Sequence, residues 1–178
     1  MGAAPAQELP LHGYRALVVD DSESTCTMLS RILTRAGMEV VTAGDGTEAI
    51  ARVRQERCPF DVILLDLVMN TMDGVETMQR LRPMISEGRT CIVPMSATIT
   101  EAVERNCRAV GVVGEMLHKP YRPHRVLQVV RGALRLDPAS GGEAEVSRLA
   151  RSQGAPVLPN LPGCDIAAAL DRCGQDRS

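Results

Sequence analysis

The chain has 178 residues, 44% of them hydrophobic, which suits one domain of ordinary size with sequence to spare. A formal net charge of -2 carries no nucleic-acid footprint, and no apolar stretch approaches the roughly 20 residues of a membrane span. Six cysteines, at 26, 58, 91, 107, 164 and 173, form no CxxC pair and read as reduced core or surface thiols of a cytoplasmic protein.

With no Trp, two Tyr and one Phe, the core has to be built from Leu, Ile, Val, Met and Ala. Residues 1–13 lack a basic region followed by an apolar one and read as a flexible tail. Arg15-Ala-Leu-Val-Val19 is a first buried strand that ends at Asp20-Asp21, with Ser22 as the N-cap of a helix. Met28, Leu29, Ile32, Leu33 and Ala36 form the apolar stripe of that helix, and Gly37 ends it. Glu39-Val-Val-Thr-Ala43 is a second strand. Asp45-Gly-Thr-Glu48 has capping-box spacing ahead of a helix with Ala49, Ile50 and Val53 on its buried side.

Val62 to Leu65 is a continuous run of branched apolar residues, which predicts a strand buried on both faces, and it stops at Asp66. Gly74 to Leu81 is a third helix, closed near Pro83, with Asp73 as its cap. Cys91-Ile-Val-Pro-Met-Ser96 reads as a fourth strand despite Pro94, which removes a ladder donor. Thr98-Ile-Thr-Glu101 is a further capping box, and its helix runs to about Val110. Met116-Leu-His118 is a short fifth strand ending at Lys119-Pro120. Val126, Leu127, Val130, Ala133 and Leu134 mark a final amphipathic helix. Strands alternating with helices over residues 14–136 predict an α/β fold, a doubly wound five-stranded parallel sheet in flavodoxin-like order 2-1-3-4-5 with helices on both faces.

In such a sheet the C-terminal strand ends share one edge. That edge gathers Asp20, Asp21, Asp66, Ser96 and Lys119. Carboxylates crowded together repel, and a hard cation with oxygen ligands relieves the repulsion; Mg2+ is the usual choice where a phosphoryl group completes its shell. Lys119 offers a compact positive charge to an oxyanion, Ser96 a hydroxyl, and Asp66 a carboxylate able to form an acyl phosphate. Each residue also has a plainer reading. Asp21 suits the start of a helix dipole, Ser96 a turn, and Lys119 a solvated position before a proline. His118, on the other side of the strand from its neighbour, reads as structural or exposed.

Leu17-Val-Val-Asp-Asp21, Asp45-Gly46, Leu64-Leu-Asp-Leu-Val-Met69, Met72-Asp-Gly74, Met95-Ser-Ala97 and His118-Lys-Pro-Tyr121, taken together, resemble the receiver domain of two-component response regulators. The resemblance implies Asp66 as phosphoacceptor, and Mg2+ held by Asp20, Asp21, Asp66 and the Val68 carbonyl. Ser96 and Lys119 would contact the phosphoryl group, and Lys119-Pro120 would be cis. Val68, Thr98 and Met116 would modulate the site. Three departures stand out. Asn70 replaces the usual Pro, the loop before Lys119 is one residue longer, and Met116 replaces an aromatic that usually turns inward on activation.

The implied partners are a histidine kinase or a histidine phosphotransfer domain, with a homodimer through the last two helices left open. No nucleic acid or membrane contact is expected, and no kinase domain is legible. Any enzymatic activity would be receiver-type phosphoryl transfer and slow self-dephosphorylation. The competing readings are a non-phosphorylated pseudo-receiver acting as an interaction module and a haloacid-dehalogenase-type phosphatase. The second needs an Asp two positions after the nucleophile, where this chain has Val68. Residues 137–160, rich in Pro, Gly and Ser, read as a linker. Residues 161–178, with Asp165-Ile-Ala-Ala-Ala-Leu170, resemble the truncated start of a phosphotransfer domain, as in a hybrid sensor kinase.

Overall fold

The computed structural model describes residues 10–56, 59–85, 89–112 and 114–136. The expected linker and the phosphotransfer-like segment after it lie outside those residues, as do residues 1–9 of the tail. Five apolar runs form the strands β1 Arg15–Val19, β2 Glu39–Ala43, β3 Val62–Asp66, β4 Cys91–Ser96 and β5 Leu117–His118. They pair in parallel in the order β2-β1-β3-β4-β5. The intervening helices are α1 Glu23–Arg35, α2 Gly46–Gln55, α3 Gly74–Leu81, α4 Glu101–Ala109 and α5 Pro123–Ala133.

Two-residue alternation along the strands divides the core in two. Ala16, Val18, Val62 and Leu64 face Leu29 and Leu33 of α1 and Val126 and Val130 of α5. Leu17, Val19, Ile63 and Leu65 face the other way, onto Ala49 and Ile50 of α2, Met78 and Leu81 of α3, and Cys107 of α4. Leu29, Leu33, Leu64 and Leu65 are fully buried. Truncating such a leucine to alanine costs about 2–5 kcal/mol, so these contacts fix how the helices sit on the sheet.

Local signals hold at most helix starts. Ser22 accepts the Thr25 N–H, Asp45 the Glu48 N–H and Asp73 the Glu76 N–H. Three details differ from expectation. Glu48 reaches back to the Gly44 N–H at 2.8 Å rather than to the N–H of its own cap. The cap of α4 is Thr100, which accepts the Val103 N–H at 3.3 Å; Thr98 is engaged with Ser96 instead. Met28 is 38% exposed because the sheet-facing stripe of α1 runs through Cys26, Leu29 and Leu33, leaving residue 28 on its flank.

Pro94 sits inside β4, opposite Leu65 of β3. Met95 turns its carbonyl to Leu67 beyond β3, and Ser96 turns its carbonyl to Lys119 beyond β5, each at 2.9 Å. By alternation the amide position of Pro94 faces the β5 side, so no donor toward β3 is lost. On the β5 side the ladder begins only at Leu117, opposite Met95. Met116 therefore lies just before the strand and not in it, because the ladder cannot extend past the proline.

Candidate functional site

The strand ends bring their polar residues to one edge. Asp20, directly after β1, is 1% exposed. Its Oδ1 accepts the Ser22 N–H and its Oδ2 accepts Lys119 Nζ, both at 2.9 Å. Asp66, the last residue of β3, is 3% exposed. Its Oδ2 accepts Lys119 Nζ at 2.7 Å and its Oδ1 the Val68 N–H at 3.3 Å. Asp21 is exposed and lies alongside; ligand oxygens of Asp20, Asp21 and Asp66 fall within 4.8 Å of one another. This is an all-oxygen, triply anionic set, the chemistry that suits a hard divalent cation such as Mg2+.

Glycine is required where α3 meets this edge. The Gly74 N–H donates to the Leu67 carbonyl at 3.1 Å, and a Cβ on Gly74 would fall 2.6 Å from Leu67 Cα and closer still to the Asp66 carbonyl oxygen. The backbone under the Asp66 side chain is thus set by contact with the start of α3.

Burial pushes the Asp66 carboxyl above the ordinary carboxylate range. Hydrogen bonds from Lys119 and the Val68 N–H and the charge of Lys119 pull the other way without cancelling it, while Asp20 adds repulsion. Burial alone would lower Lys119; the hydrogen bonds and charges of Asp66 and Asp20 outweigh it and leave the ammonium raised. The lysine is therefore firmly charged, and the carboxylate facing it is held at some cost.

Of the remaining expected residues, Val68, Ser96 and Thr98 help Asp20, Asp66 and Lys119 to line the same cleft of about 650 Å3, while Met116 lies outside it. Val68 is 74% exposed. Ser96 is buried at the edge, but its hydroxyl donates to the Thr98 carbonyl at 2.8 Å and accepts the Thr98 N–H at 3.1 Å, so it is turned into the loop before α4. Met116 is half-buried and packs against the core on the α4 side. His118 is exposed and stands apart, and Lys119-Pro120 is cis.

Two residues gain parts that sequence reasoning had not given them. Asn70 donates both its side-chain amide and its backbone N–H to Asp21. Its departure from the usual proline was the available signal. The Tyr121 ring centre lies 5.9 Å from Lys119 Nζ, and its buried hydroxyl finds no hydrogen-bond partner among the described residues. Nothing in the local pattern marked it beyond its place after the Lys-Pro pair.

The fold and this edge are those of a receiver domain of two-component signalling. A family model described as the response regulator receiver domain matches residues 16–131, and the chain belongs to that family. Among curated proteins it is 30% identical over 135 residues to the alkaline phosphatase synthesis transcriptional regulatory protein PhoP of Bacillus subtilis, covering 74% of this chain and 53% of that protein. It is 33% identical over 121 residues to the DNA-binding response regulator MtrA of Mycobacterium tuberculosis, covering 68% of this chain and 50% of that one. The chain spans about half the length of these relatives. A third relative, probable histidine kinase 2 of Oryza sativa, is 32% identical over 146 residues, which are 14% of its length.

Among solved structures, chemotaxis protein CheY4 of Vibrio cholerae superposes with a TM-score of 0.63 at 34% identity, covering 67% of this chain and 98% of CheY4. A chain of the CheX-CheY-BeF3-Mg2+ complex of Borrelia burgdorferi gives 0.62 at 28% identity, covering 68% of this chain and 89% of that one. No helix among the described residues is long and apolar enough to cross a membrane.

Proposed function

We propose that the chain accepts a phosphoryl group onto Asp66, with Mg2+, from the phosphohistidine of a histidine kinase or histidine phosphotransfer domain. It then relays the group or changes a partner-binding surface. The observation that carries this reading is the setting of Asp66: a buried carboxylate at a strand end, facing an open cleft, with Lys119 at 2.7 Å and two further carboxylates beside it.

In the transfer, an Asp66 carboxylate oxygen attacks phosphorus. The P–N bond of the donor breaks, its electron pair returns to the imidazole nitrogen, and a P–O bond to Asp66 forms. Asp66 needs no general base, since it reacts as the carboxylate. Asp20, Asp21, Asp66 and the Val68 carbonyl would hold Mg2+, which supplies charge neutralisation between carboxylates and phosphoryl oxygens. The Val68 N–H holds Asp66 Oδ1 in place. Lys119, released from Asp66, turns to a phosphoryl oxygen while its second contact, Asp20, keeps it at the edge. Ser96, on leaving Thr98, donates to another. The Borrelia neighbour, solved with BeF3 and Mg2+ in a complex, lends support.

In this reading the free thiols of Cys26, Cys91 and Cys107 go with a cytoplasmic setting, and residues 137–178 lead from the receiver toward a phosphotransfer domain. Incubation with acetyl phosphate and Mg2+, followed by intact-mass spectrometry, tests the core claim. One phosphoryl group is expected on the wild type and none on Asp66→Asn; an unmodified wild type overturns the proposal.

A further inference from the structure

Asp21 and Asn70 lie 49 positions apart, on the loop after β1 and the loop after β3. Asn70 gives one oxygen of Asp21, Oδ2, two hydrogen bonds: from its side-chain amide at 2.7 Å and from its backbone N–H at 3.2 Å. Asp21 is exposed, where an unheld carboxylate samples several rotamers, yet it contributes a ligand oxygen to the three-carboxylate cluster. Among the described residues its Oδ1 takes no hydrogen bond.

We propose that Asn70 is a positioning residue for the cation: it grips Asp21 by Oδ2 and so holds this exposed carboxylate beside the cluster before any ion arrives. The inference rests on the phosphoacceptor reading and deepens it. The grip also joins the two loops that supply ligands, since Val68, whose carbonyl is the expected fourth ligand, stands two residues before Asn70. A proline at position 70, which the resemblance leads one to expect, has neither an N–H nor a side-chain donor and cannot make this contact. A carboxylate already fixed by charge-assisted hydrogen bonds surrenders less rotamer freedom when it binds an ion. Among the described residues only Oδ2 is engaged, so the carboxylate keeps acceptor capacity for a cation.

The test is calorimetric titration of Mg2+ into the full chain for wild type, Asn70→Ala and Asn70→Pro. Mg2+ affinity should weaken roughly fivefold in Asn70→Ala, which keeps the backbone N–H, and roughly tenfold in Asn70→Pro, which keeps neither donor. Phosphorylation by acetyl phosphate should need correspondingly more Mg2+, with its rate at saturating Mg2+ little changed. A bond that merely stabilised the loop would instead lower the unfolding temperature in EDTA and leave Mg2+ affinity alone. Affinity in Asn70→Ala within about twofold of wild type, or tighter than wild type, overturns the assignment. A wild type that shows no saturable Mg2+ binding would instead bring down the phosphoacceptor reading itself.

Discussion

Lys119 Nζ lies 2.7 Å from Asp66 Oδ2, joining residues 53 positions apart across the edge of the sheet. The same ammonium holds Asp20 at 2.9 Å, so one cation stands between two buried carboxylates. Lys119→Ala leaves both without a counter-charge. The metal-free variant should lose about 2 kcal/mol of stability, and Mg2+ should restore much of it by replacing the missing charge. Urea unfolding in EDTA and in Mg2+ measures both effects; equal stability of variant and parent in EDTA would contradict the bridging role.

The raised Asp66 carboxyl links stability to pH. Below its ordinary value of 3.8 the group is protonated whether folded or unfolded. As pH rises past that value, the unfolded chain releases the proton first, so stability falls until the folded group ionises too, then levels off. Asp66→Asn cannot titrate. The stability of Asp66→Asn relative to wild type, in EDTA, should therefore increase as pH rises through the acidic range and then stay flat. A difference that shrinks with rising pH would mean that Lys119 outweighs desolvation.

Gly74→Ala places a methyl group against the Asp66 carbonyl and Leu67 Cα, both backbone, so neither can swing aside as a side chain would. A loss of about 1–3 kcal/mol is expected, together with slower phosphorylation, because the backbone beneath Asp66 must shift. Thermal unfolding paired with acetyl phosphate kinetics checks this. A stable variant of unchanged rate would show that the close approach does not set the site.

Met116 stands where the resemblance leads one to expect an aromatic ring with a two-position readout, and a flexible thioether repacks more gradually. Amide shift changes on adding beryllofluoride and Mg2+, mapped over α4, β5 and α5, should be smaller in wild type than in Met116→Phe. A large cooperative shift in wild type, equal to that of the variant, would refute this.

The order of strands and helices, both sheet faces, and the caps Ser22, Asp45 and Asp73 were legible because each depends on neighbours within a turn or a strand. The gathering of Asp20, Asp21, Asp66 and Lys119 was legible one step further, since parallel strands share a C-terminal edge whatever the details. Tertiary structure alone decided the remainder. It turned Ser96 to Thr98, moved the α4 cap to Thr100, exposed Met28, and set the missing donor of Pro94 toward the side where β5 ends. It also closed Asn70 onto Asp21. The Pro94 and Asn70 outcomes hang on contacts between distant segments, and the short-range ones on which of several local hydrogen bonds and helix faces the packed fold selects, a choice that local sequence leaves equally open.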